Sequence, residues 1–169
     1  MPTNTTSAVA QMDRASRLLP TIGEEIAYAV QTLTGAPMDV IVIAWTNPRA
    51  SWGGTCSRED VIVAIDALID RWKHPDDPSY GRVEFGKASE PVKRLAVAGG
   101  VLMHAMAHVF GLHFDDPPAW SLIVLADSGP SYFGKAHRSQ IAPELERLSA
   151  YMKATTEADD TPAHDYRGQ

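Results

Sequence analysis

Apolar residues recur at helical spacing through Ile22, Ile26, Ala29, Val30 and Leu33, while Glu24 and Glu25 fall between them. This pattern predicts an amphipathic helix. Pro20 suits its first turn, where a missing amide hydrogen costs nothing, and Gly35 and Pro37 suit its end. Ala8 to Leu19 then reads as a separate, preceding helix. Met38 to Trp45 is a short unbroken apolar run rich in β-branched residues, the pattern of a buried strand. Thr46 to Ser57 holds Asn47-Pro48 and Gly53-Gly54 and reads as a loop, with Trp52 either lining a cleft or packed on the body. Ser57 and Asp60 resemble a capping box, and Val61, Ile65, Leu68 and Trp72 fall on one helical face, so a helix is expected from Arg58 to Lys73.

A polar loop follows from His74 to Pro78, and Tyr80 to Phe85 reads as a short strand. Ser89 and Pro91 open a further helix that runs through Gly99-Gly100 to about Phe110. Two glycines inside a helix imply close backbone packing there, and the apolar run of Val101, Leu102, Met103 and Val109 predicts a buried element. Leu145, Leu148 and Met152 give the inner face of a last helix from Ile141 to Met152, with Pro143 in its first turn. The pattern divides the chain into an N-terminal helical segment (1–19), a domain (20–154) and a polar, acidic tail (155–169) that contains His164.

Composition narrows the function classes. Of 169 residues, 44% are hydrophobic and 21% charged, which is ordinary for a globular domain. A formal net charge of -6 with no basic cluster speaks against nucleic acid as a partner. The single cysteine, Cys56, excludes an internal disulfide and a cysteine-rich zinc site. Met1 to Ala10 lacks the basic start and apolar run of a secretory signal, and no stretch reads as long enough to span a bilayer. The chain as given is therefore expected in the cytoplasm, without a membrane partner, or as the mature part of an exported protein.

Three of the six histidines lie within Val101 to Asp116, VLMHAMAHVFGLHFDD. On a helix, His104 and His108 project from one face a turn apart and can aim two ring nitrogens at one ion. Gly111 suits a helix stop at positive φ, after which the chain could turn back and bring His113 to the same point. Three protein ligands and a water is the pattern of a catalytic zinc. Without a metal, an HxxxH pair more often belongs to ordinary core packing.

The segment resembles the zinc-binding signature of metzincin peptidases, and most of all their small bacterial matrixin-like members. His104, His108, Gly111, Leu112, His113, Asp115, Asp116 and Pro117 follow the order of that signature. The resemblance implies an α/β (α+β) zincin-like fold, in which a small twisted sheet packs on a long helix and an active-site helix and a C-terminal helix follows. It implies a zinc-dependent endopeptidase that hydrolyses polypeptide substrates through a metal-activated water, with Zn2+ held by His104, His108 and His113. It also suggests an edge strand at Val61 to Asp66, where periodicity predicts a helix, and Tyr132 lies where some metzincins place a tyrosine that supports the oxyanion.

Three positions depart from the signature. The catalytic glutamate that should follow the first histidine is Ala105, which removes the general base and leaves the ligands. Such an alanine is what an engineered inactivating change, or a natural pseudopeptidase, looks like. His113 lies one residue closer to His108 than the signature requires, which leaves Asp115 as an alternative third ligand. Ser121 to Leu125, the place of the methionine turn, contains no methionine, although Leu122 or Ile123 could fill the same apolar floor. Asp115, Asp116 and Asp127 are candidates to accept hydrogen bonds from the ligating imidazoles. A noncatalytic zinc- or peptide-binding protein and a metal-dependent hydrolase of a non-peptide substrate are the competing readings. The sequence indicates neither an oligomeric state nor substrate-binding residues.

Overall fold

Met12, Ala15, Leu19, Ile22, Ile26 and Val30 are all buried and form one unbroken stripe. They hold Thr5–Thr34 in a single helix, α1, with Pro20 inside it. The two expected helices are therefore one. A proline in a helix interior costs about 3 kcal/mol, but each buried Leu or Ile on either side returns about 1.5–3 kcal/mol, so a continuous stripe outweighs the break. The computed structural model describes residues 5–46, 49–76 and 87–155. The strand expected at Tyr80 to Phe85 and nearly all of the acidic tail lie outside these residues.

The described elements run α1, β1 (Asp39–Thr46), β2 (Arg49–Gly54), α2 (Arg58–Lys73), α3 (Glu90–His113), β3 (Ala119–Ala126), β4 (Gly129–Gly134) and α4 (Arg138–Ala154). This is an α+β fold. β1 and α2 lie where the pattern placed them, and Ser57 accepts from the Asp60 amide as the α2 N-cap. Periodicity thus prevails over the resemblance at Val61 to Asp66. The stretch expected to be loop at Thr46 to Ser57 instead contains β2, which pairs antiparallel with β1.

The four strands form one antiparallel sheet in the order β2-β1-β3-β4. Alternation along the two central strands divides the core. Val40, Val42, Ala44, Leu122 and Val124 meet α1 and α3 on one face. Ile41, Ile43 and Ile123 meet α2 and α4 on the other. The layers are helices, sheet, helices.

The two halves of the chain repeat. β1, β2 and α2 recur 80 residues later as β3, β4 and α4, with strands of 8 and 6 residues in both halves. The hairpin registers agree as well, since Ile41 faces Gly54 and Ser121 faces Gly134. At the centre Val42 faces Leu122, Asp39 faces Leu125 and Trp45 faces Ala119, a pairing that an approximate two-fold axis maps onto itself. Two ion pairs obey the same axis: Lys73 to Glu146 at 2.6 Å and Lys153 to Asp66 at 2.6 Å. So does the seat of each long helix on its outer strand, although the residue sizes are exchanged. A Cβ on Gly53 would stand 2.8 Å from Leu19, and one on Gly99 would stand 3.1 Å from the Phe133 ring. Glycine lies on the strand in the first half and on the helix in the second.

Two outcomes test this packing. Gly53→Ala should destabilise the protein by about 1–3 kcal/mol through overpacking against Leu19. Gly100→Ala, whose new methyl would meet nothing within 4 Å, should stabilise it by about 1 kcal/mol through helix propensity; urea unfolding measures both. Asp66 reports on acid sensitivity. Burial raises its pKa, but hydrogen bonds from Lys153 and Ser149 outweigh that and hold the carboxyl below its ordinary value. Its contribution is present above the unfolded-state pKa and is lost as pH falls through the folded value. Asp66→Asn should therefore flatten the dependence of the urea midpoint on pH below about 4.

Candidate metal centre and the outer face of helix α3

Pro91 in the first turn, and Glu90 paired with Lys93 at 2.9 Å, begin α3. Leu95, Ala98, Leu102, Met106 and Phe110 form its buried face. The helix does not end at Gly111. Among the described glycines, positive φ occurs at Gly35 and Gly129, and Gly111 stays helical. The reason is Phe114, which is buried and stacks on Phe110 with ring centroids 5.7 Å apart. Phe110 and Phe114 share a face only if the turn between them is helical, and the Phe114 amide donates to the Phe110 carbonyl at 2.9 Å. A helical glycine costs about 1 kcal/mol, less than the burial of one phenylalanine.

Continuing the helix separates the three histidines. At about 100° per residue, His108 lies about 40° around the axis from His104, while His113 lies about 180° away. His104 and His108 are exposed and His113 is half-buried. The returning loop expected to carry His113 back does not form. Among the described residues no group of three or more His, Cys, Asp or Glu side chains could share an ion. His104 and His108 lie a turn apart on the exposed side of the helix. His104 Nδ1 stands 2.9 Å from the Gly100 carbonyl, so a proton on Nδ1 leaves Nε2 with its lone pair outward.

Other expected site residues are dispersed. Ala105 is half-buried and packs against the core shared by α1, α3 and the sheet. Asp115, Asp116 and Asp127 are exposed, and Gln11 donates to the Asp116 carbonyl. Ser121 to Leu125 is not a turn but part of central strand β3, with Leu122 and Ile123 on opposite sheet faces, so neither forms a floor beneath the outward histidines. Tyr132 packs in the α2/α4 layer, edge-on to Trp72 at 5.4 Å, with its hydroxyl 3.4 Å from Ser121 Oγ. Burial raises its pKa. Trp52 packs in that layer too, and its indole nitrogen is buried without a hydrogen-bond partner among the described residues. The Cys56 thiol is pushed up to about 11 by burial and by the carboxylates of Asp39 and Asp60, which makes it a poor thiolate. Of the remaining histidines, His74 stands 3.1 Å from the Asp70 carboxylate at the end of α2.

The expectation that α3 is a buried helix holds for one side only. Val97, Val101 and Leu112 are 78%, 55% and 68% exposed, and with His104 and His108 they form an outward stripe. A helix lying on one side of a sheet is covered on one side. The repeat supplies an internal comparison. Eighty residues earlier, α1 carries Arg17, Thr21, Glu24, Tyr28 and Thr32, also exposed. The same place in the fold is largely polar in one half and largely apolar in the other. That offset was the signal in the sequence that could have revealed this face. α3 is also long and apolar enough to cross a bilayer by length and composition, contrary to expectation, although here it lies against α1 and the core.

Fold and site together define an α+β protein built of two αββα units, with a histidine-bearing apolar helix face. Comparison with protein-family models, curated proteins and solved structures finds no match.

The position of Ala105 gives a direct test. Ala105→Glu should bring a carboxylate against apolar core and destabilise the protein by about 1–3 kcal/mol, measured by thermal or urea unfolding. An unchanged stability would mean that position 105 opens to solvent as a catalytic base would.

Proposed function

We propose that the protein is a noncatalytic binding protein whose working surface is the outer face of α3, with His104 and His108 able to hold a divalent cation such as zinc. The contrast between the α1 and α3 faces carries this reading, since the two helices occupy equivalent places in the repeat. An exposed stripe of Val, Val and Leu is disfavoured in water unless something covers it. Two imidazoles a turn apart fit a zinc ion, whose remaining positions water or a partner's side chain would fill.

A zincin-like endopeptidase is the reading that the signature alone favours. It requires a third ligand and a base beside the metal. His113 on the far side of the helix, and Ala105 turned towards the core, speak against that centre.

Isothermal titration with zinc separates the two. Binding should be lost in His108→Ala and unchanged in His113→Ala. Loss in His113→Ala, or chelator-sensitive cleavage of an unstructured protein by Ala105→Glu, would sink the proposal in favour of a peptidase.

A further inference from the structure

Resting on the reading of α3 as a docking surface, we infer that its occupant is a second copy of this chain, packed antiparallel through α3 about a two-fold axis. The face is self-complementary. At its N-terminal end lies an open, largely apolar groove of about 380 Å³ lined by Leu33, Val97, Ala98 and Val101, with Lys93 and Arg94 at its rim. At its C-terminal end Leu112 stands out from the helix, and the exposed Asp115 and Asp116 follow it. Groove and knob are about 22 Å apart along the helix axis.

An axis crossing the outer face at the level of His104 sets Leu112 of the second copy against Val97, in the groove. The same operation brings the acidic stretch that follows the helix, Asp115 and Asp116 of the second copy, to the end of α3 that carries Arg94 and Lys93. Both contacts then occur twice, as an isologous interface requires. A parallel pair would instead set cation against cation and carboxylate against carboxylate. Arg94 gives one N–H to the Thr34 carbonyl at 3.5 Å, and its fork carries further donors. Neither Asp115 nor Asp116 has an ion-pair partner among the described residues. The equivalent face of α1 has no such knob, since Thr32 stands where α3 has Leu112 and Arg17 where it has Val97.

Two helix faces of this length cover on the order of 1,000 Å² in total, the lower end for a specific interface, which suits a reversible dimer rather than an obligate one. Sedimentation of the full chain between about 5 and 500 µM should show a reversible monomer–dimer equilibrium. Leu112→Asp should weaken it at least about tenfold, and Tyr28→Asp, on the matching face of α1, should leave it unchanged. Arg94→Asp and Asp115→Arg should each weaken the dimer, and the two together should restore it. Lys93→Glu with Asp116→Lys repeats this cycle should Arg94→Asp unfold the chain.

A wild-type chain that is monomeric throughout, or a double reversal without recovery, overturns the second copy as occupant. If that monomer still binds zinc through His108, or binds neutral phosphatidylcholine vesicles through Leu112, the α3 face survives as a docking surface. Loss of all three behaviours overturns both readings.

Discussion

Antiparallel pairing of β1 with β3 is the contact on which the architecture depends. It joins the two halves through their most apolar strands, and its register lets each strand show one face to each helical layer. A slip of one residue would turn every side chain of a strand to the wrong layer. Because both faces are buried, no polar side offers an alternative register. The helices inherit their positions from this pairing, including the turn of α3 that sends its histidines outward.

The ion pairs between α2 and α4 follow from the same symmetry. Lys73–Glu146 and Lys153–Asp66 sit at equivalent places on opposite sides of the axis. They are partly exposed and contribute little each. Their value is orientational, since they fix which faces of two neighbouring helices meet.

Much of the fold was legible where a local pattern and the tertiary demand agreed. The stripe and cap of α2 gave its ends, and the β-branched run gave β1. It was illegible where a residue serves a distant contact. Gly53 and Gly54 look like loop residues, but they sit in β2 because α1 crosses it at backbone distance. Pro20 and Gly111 look like helix boundaries, and buried neighbours on both sides override them. The histidine pair was legible as a pair. The position of the third ring was not, because it depends on where Phe114 packs. The repeat is faint in the sequence because few positions, among them Ile43 and Ile123 and Leu68 and Leu148, keep the same residue.

The exchanged seats of the long helices divide labour between the two halves. α1 rests on β2 through main-chain atoms, where there is no slack and a single added carbon is felt by both elements. α3 rests on β4 through the rim of an aromatic ring, which can rotate or slide to absorb a change. Mutational drift is therefore cheaper on the second helix. One unit braces the sheet through contacts that tolerate no added atom, while its twin leans on a side chain that can give way.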